Sequence, residues 1–493
     1  MLLVLRTLLC ALQSMGNLCY GTILQGCLLF LSIRMNASLH LSAARPKPCH
    51  DKNASYDVSH PYGVWEWAAE VQIGTPPETF YLQMDSGYPQ LSLSSSGGIA
   101  GRYPICPKEV PAQGYHANAS STSRVYSCAD AKAEGVTMCI NCDGTAVTDS
   151  DPCVSNTTGL MDGINYTHVS DVVRIGGAEL PNFNISLTNS PMFRGSFGFK
   201  VCDETQEYCP PVTDAPPWSS LPDELKKQGI IQARSYSAAF NKSSGKGSIT
   251  MGELMPYTVA PEGGGGSDAG LGGTVVTTAE PLVMLGGTSD LPGYATVLSV
   301  RIGDVEIYSS SNANASIVLG VDLGSIASRP PGSWVRALRA ALEGNCSSNP
   351  LVGVCVDSGG AALEPSSNSS ILDGNCYALS EEQRAAYPTI VFALPVFNSS
   401  ALFHAEYSPA EYLTNFGSEC ARHLIMCSSC NGPDDATVAW SYLYATSGAD
   451  NEKYWIAGAD FYQAFLTYRP DPGDMSEFGY FGLASLRSYL SAD

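Results

Sequence analysis

Three short stretches set an aspartate against glycine in a way that could carry chemistry: "MDSG" at 84–87, "VDLGS" at 321–325 and "VDSGG" at 356–360. Taken singly, such an acid is usually a solvated turn residue, because burying it without a partner is costly. Two of them brought together behave differently. Adjacent carboxylates cannot both ionise at ordinary cost, so they share one proton; the ionised member can then take a proton from water while the other donates one. The chain has no HExxH and no GxSxG, and "GKGS" at 245–248 lacks P-loop spacing. Its seven histidines show no ligand spacing, so neither a metal nor a cofactor is expected.

Two of these acids sit in matching surroundings. Asp85 ends the apolar run "FYLQM" and is followed 113 residues later by Gly198 in "RGSFGF"; Asp322 ends "IVLGV" and is followed 136 residues later by Gly458 in "YWIAGADF". Each half of the chain thus offers an apolar strand, an Asp-x-Gly turn and a later apolar strand with glycine, which points to duplicated β lobes. Elsewhere too, alternating and β-branched runs separated by Gly, Pro, Ser and Asn make the chain mainly β, with helical patterning confined to pieces such as "PDELKKQGII", "GSWVRALRAALEG" and "LSEEQRAAY". "APEGGGGSDAGLGG" at 260–273 is too rich in glycine to pack and reads as a linker. The expected organisation is a leader over 1–44, a short prosegment over 45–60, an N-terminal lobe over 61–259, a linker over 260–275 and a C-terminal lobe over 276–493.

Composition narrows the setting. Only 15% of the 493 residues are charged, and the net charge is −21. Nucleic acid is therefore excluded as a partner on charge grounds. The pI near 4.6 suits an acidic working environment, where the self-repulsion of the carboxylates fades. Residues 1–33 carry one charge, Arg6, and two apolar runs, a pattern expected of a signal peptide cleaved near "LSAA" at 41–44 or of an uncleaved signal anchor. No later stretch is apolar and long enough to span a bilayer. Three of the 17 cysteines lie in the leader, leaving 14, an even number suited to disulfides. The CxxC spacings at Cys139/Cys142 and Cys427/Cys430 fit zinc or redox chemistry in a cytosolic protein, but disulfides in an exported one. Eleven Asn-x-Ser/Thr sequons, from Asn36 to Asn398, fit a glycosylated surface. The expectation is a secreted glycoprotein, with vacuolar delivery or a signal-anchored form as alternatives.

The segment "VQIGTPPETFYLQMDSG" resembles the pepsin-family aspartic proteases, which carry an Ile-Gly-Thr-Pro-Pro turn about ten residues before an Asp-Thr/Ser-Gly. "SDVVRIGG", "GSFGF", "VDLGSIASRPPGSWVRALRAAL", "YPTIVFAL", "YSPAEYL", "YWIAGADF" and "FGYFGLA" extend the likeness over residues 60–485. The resemblance implies a bilobal acid protease fold with pseudo-two-fold related lobes, and a monomeric endopeptidase that hydrolyses protein or peptide substrates at acidic pH across an interlobe cleft. Asp85 is then one catalytic acid. Its partner is Asp322 rather than Asp357, because Asp322 follows an extended apolar run and precedes prolines and a helix, whereas Asp357 enters "GGAALEPSSNSS". Around the pair the family pattern implies support from Ser86, Gly87, Gly324 and Ser325. Leu323 stands where a bracing hydroxyl belongs, and Tyr88 where an outer hydroxyl would contact the carboxylate. The substrate-covering flap falls near Asp162, Gly163 and Tyr166. A Cys376–Cys420 disulfide is implied in the second lobe. The alternative function is a weak or inactive relative acting as a binding or inhibitor module, and an unrelated lectin-like β protein would require Asp85 and Asp322 to lie far apart.

Overall fold

The computed structural model describes residues 39–44, 67–95, 114–134, 139, 141–142, 148–156, 165–188, 195–200, 220–241, 246–259, 275–286, 294–310, 317–324, 330–363, 370–371, 377–416, 438–441, 454–458, 461–471 and 481–490. Over these residues the protein is mainly β. The first half contributes β1 (Leu39–Ala44), β2 (Ala68–Ile73), β3 (Glu78–Asp85), β4 (Leu91–Ser94), β5 (Arg124–Val125), β6 (Val154–Asn156), β7 (Asn165–Ile175), β8 (Ala178–Thr188), β9 (Ser196–Gly198), β10 (Tyr236–Asn241) and β11 (Lys246–Met251). Strand β3 alternates as a half-buried strand should, burying Phe80, Leu82 and Met84.

In the largest sheet β2 pairs antiparallel with β3, β3 parallel with β9, β9 antiparallel with β4, and β4 parallel with β8. Strand β10 joins this sheet to the end of the chain: Tyr236 pairs with Arg469 on Phe465–Arg469, which in turn pairs with Phe481–Leu490. Strand β1 pairs along its whole length with β11 and touches β2. Residues 39–44, the last of the segment expected as a leader, are thus described as a strand of this sheet. A leader and a strand edge are both short apolar runs, and periodicity cannot separate them.

In the second half, Ala295–Val297, Ile317–Val321 and Tyr454–Ala457 form one sheet, and Val305–Ser309, Ser299–Ile302, Ile390–Pro395 and Leu402–Tyr407 form another. The helix Gly332–Gly344 starts after Pro331 and turns Trp334, Leu338 and Leu342, spaced by four, toward the core. Trp334 there meets Trp455 with ring centroids 5.6 Å apart. Two large hydrophobic clusters result. One is built from residues 285–483, the other from residues 67–251 with Leu323 and Tyr462 inserted from the second half.

Three disulfides are described: Cys128–Cys142, Cys139–Cys153 and Cys346–Cys355. Both cysteines of the first CxxC are oxidised, each to a partner outside the motif. Cys376, Cys420, Cys427 and Cys430 lie outside the described residues, as does the glycine-rich stretch over 260–273. Among the described residues no helix is long and apolar enough to cross a membrane.

Candidate active site

The two aspartate turns are built alike. In the first, the Ile-Gly-Thr-Pro-Pro segment reverses the chain between β2 and β3. Gly74 adopts φ +87°, a conformation that costs glycine least, and the Thr75 amide donates to Ser120 Oγ at 2.9 Å. Strand β3 then runs into Asp85, which lies opposite Gly198 in the parallel register with β9, and Asp85 O accepts from the Phe199 amide at 2.8 Å. In the second, Val321 lies opposite Ala457 in a parallel pairing, and the Asp322 amide donates to Ala457 O at 2.8 Å. The apolar strands around Gly198 and Gly458 thus take the same supporting place beside the two acids.

The turns meet face to face. A Cβ on Gly87 would lie 2.7 Å from the Asp322 carboxyl carbon, and one on Gly324 would lie 2.3 Å from that of Asp85. Only glycine leaves room for this reciprocal approach. Each acid also accepts from the glycine of its own turn, Gly87 N–H to Asp85 Oδ1 at 2.8 Å and Gly324 N–H to Asp322 Oδ1 at 2.9 Å. The Asp322 carboxyl hydrogen-bonds that of Asp85, and burial together with the Asp322 charge pushes Asp85 far above the ordinary carboxylate range, to about 8. The Gly87 and Tyr88 amides pull the other way without prevailing.

No protein-family model matches this chain, and no curated protein does either.

Bracing between the turns is one-sided. Ser86, 3% exposed, accepts the Leu323 amide on its Oγ at 2.8 Å and reaches Val321 O at 3.4 Å. Gln83 Nε2 adds a second crossing bond to Gly324 O at 2.8 Å. Leu323 returns none, its side chain being buried in the first-half cluster. The missing hydroxyl comes from elsewhere: Tyr462, fully buried, sets its Oη 3.1 Å from Ser86 Oγ. The Tyr88 hydroxyl donates to Gln90 Oε1 at 2.9 Å. Lys200 is a further neighbour. Its amide donates to Tyr88 O at 3.1 Å, and its ammonium, within the field of both acids, is held below the ordinary lysine range by burial and by the Arg469 charge.

Sequence reasoning reached Asp85, Asp322, Ser86, Gly87 and Gly324, and the structure brings these five together. It missed Gln83, Tyr462 and Lys200. Gln83 carries a faint signal, being a polar residue in an apolar run; Tyr462 and Lys200 carry none. Ser325, Asp162 and Gly163 lie outside the described residues. Tyr166 is 3% exposed within the sheet, opposite Ser155 of β6 and Thr188 of β8. Asp357 is a turn acid: its Oδ1 accepts the amides of Gly359 at 2.8 Å and Ala361 at 2.9 Å.

Proposed function

We propose that this chain is a pepsin-like aspartic endopeptidase, with two pseudo-two-fold related lobes and Asp85 and Asp322 as a catalytic pair. The observation that carries the reading is the reciprocal approach of each turn's glycine to the other turn's carboxyl. The repeated parallel pairing behind the two acids and the two separate hydrophobic clusters support the bilobal part of it. With one proton on the pair, the ionised carboxylate takes a proton from water as the oxygen adds to a peptide carbonyl, and the protonated one donates to the carbonyl oxygen. Collapse of that adduct breaks the C–N bond and returns a proton to the amine. Raised affinity for the shared proton keeps the pair singly protonated on the acid side of about 8, so cleavage falls as pH rises through that value. The disulfides favour export into an oxidising compartment, and sequon asparagines such as Asn118, Asn165, Asn345 and Asn398 are exposed and open to glycosylation.

One observation favours an attenuated enzyme or an inactive binding module. Neither Leu323 nor the Tyr88 hydroxyl supplies the support that the family pattern places at those positions. Incubating the purified protein with a denatured protein substrate from pH 3 to 9, with and without pepstatin, separates the readings. Pepstatin-sensitive cleavage supports the protease; no cleavage at any pH, with pepstatin still bound, supports the module.

A further inference from the structure

His168, on β7, is a fully buried titratable group with no part in the chemistry above. Its Nε2 lies 2.6 Å from Ser155 Oγ on β6, and its Nδ1 lies 3.2 Å from Ser186 Oγ on β8. Ser186 Oγ donates to Gln90 Oε1 at 3.1 Å, the same oxygen that accepts the Tyr88 hydroxyl at 2.9 Å. These contacts form a continuous chain from the β6–β7 hairpin to the residue after Gly87.

Proton counting gives the chain one direction. Burial lowers His168 to about 3, so the ring is neutral, with one N–H and one lone pair. A carbonyl oxygen only accepts, so the single hydroxyl proton of Ser186 is committed to Gln90. Ser186 Oγ must then accept from His168 Nδ1–H, which leaves Nε2 to accept from Ser155. Reversing any link leaves two donors or two acceptors facing each other inside the protein.

We propose that His168 is a positioning residue for the Asp85 turn, acting through Ser186 and Gln90 on Tyr88, whose amide donates to the Asp85 carboxyl. The functional part of this inference rests on the reading of Asp85 and Asp322 as a catalytic pair. The link to Asp85 itself does not. A Tyr88 amide held in place favours the ionised form of Asp85, so loosening the chain raises the pH at which Asp85 titrates. The other titratable groups facing Asp85 are Asp322, Lys200 and the Tyr88 phenol, and the first two are unchanged by the variants below.

The test is an NMR titration of the Asp85 carboxyl carbon, assigned with Asp85→Asn, in wild type, Ser186→Ala, Tyr88→Phe and His168→Leu, alongside kcat and KM on a denatured protein substrate. The expected result is an upward move of the Asp85 midpoint by about half a pH unit in each folded variant. Where cleavage is measurable, kcat should fall about threefold or more with KM nearly unchanged. Ser186→Ala and Tyr88→Phe each delete one oxygen, so the test stands even if His168→Leu fails to fold. Unchanged midpoints in both overturn the positioning role whatever the activity. Shifted midpoints in a wild-type protein that never cleaves leave the positioning of Asp85 intact and remove the catalytic reading.

Discussion

The Asp85 and Asp322 turns share a backbone plan and divide the work of bracing unequally. Both end an apolar strand, both lie beside a later parallel strand, and both present glycine to the opposing carboxyl. At the next position they part. Ser86 reaches across to the Leu323 amide and Val321 carbonyl, whereas Leu323 is absorbed into the hydrophobic cluster of the other half. Between the turns stand one hydroxyl, a buried leucine and the Tyr462 phenol. A bracing hydrogen bond at position 323 would be worth about 1 kcal/mol, less than the about 2 kcal/mol that burying a leucine contributes against leaving it exposed. Backbone symmetry around an acid pair therefore does not require side-chain symmetry.

The most severe way to break the shared plan is Gly324→Ala. A methyl 2.3 Å from the Asp85 carboxyl carbon cannot be accommodated in place, so the turns must separate; cleavage should drop by about a thousandfold or more in a protein that still folds. Steady-state kinetics with a check of folding by circular dichroism reads this.

The acid pair should also govern how stability depends on pH. Asp85 holds its proton more tightly folded than unfolded, so its contribution is fully present below the ordinary carboxylate range and is lost as pH rises through about 8. Asp85→Asn removes that dependence, and the variant should be more stable than wild type at pH 9. Asp171 works in the opposite sense. Burial raises it, but donors including Thr122 and Tyr115 outweigh burial and hold it below the ordinary range, so its contribution is present above that range and is lost as the solution becomes strongly acidic. Chemical denaturation from pH 3 to 9 should show wild type losing stability at both ends and Asp85→Asn only at the acid end.

Smaller effects test the unequal bracing itself. Ser86→Ala leaves the Leu323 amide buried without an acceptor and should cost about 2 kcal/mol of stability. Tyr462→Phe deletes only the phenol oxygen and should cost about 1 kcal/mol, read by the same denaturation. If the two costs were reversed, Tyr462 rather than Ser86 would be the main brace.

Much of this was legible in the chain because it is local. The glycine after each acid, the apolar strands before them, the Ile-Gly-Thr-Pro-Pro turn and the helix after Pro331 are each written in a few consecutive residues. Tyr462 was not, since it meets Ser86 across 376 positions and nothing in "ADFYQAF" marks its hydroxyl as a brace. The same holds for the His168 chain, whose members look like ordinary strand residues until three strands are laid side by side. Disulfides at Cys139 and Cys142 were an expectation tied to export, with zinc or redox chemistry as the alternative, and their pairing with Cys153 and Cys128 was not readable because spacing does not fix connectivity.

The most direct test of the central claim compares Asp322→Asn with Asp357→Asn, since "VDSGG" copies the first turn more closely than "VDLGS" does. Asp357 caps its own turn, while Asp322 shares a hydrogen bond with Asp85. In kcat/KM on a denatured protein substrate at acidic pH, Asp322→Asn should lose about a thousandfold or more and Asp357→Asn should stay within about twofold of wild type. Wild-type cleavage by Asp322→Asn, with loss in Asp357→Asn, would contradict the pairing of Asp85 with Asp322.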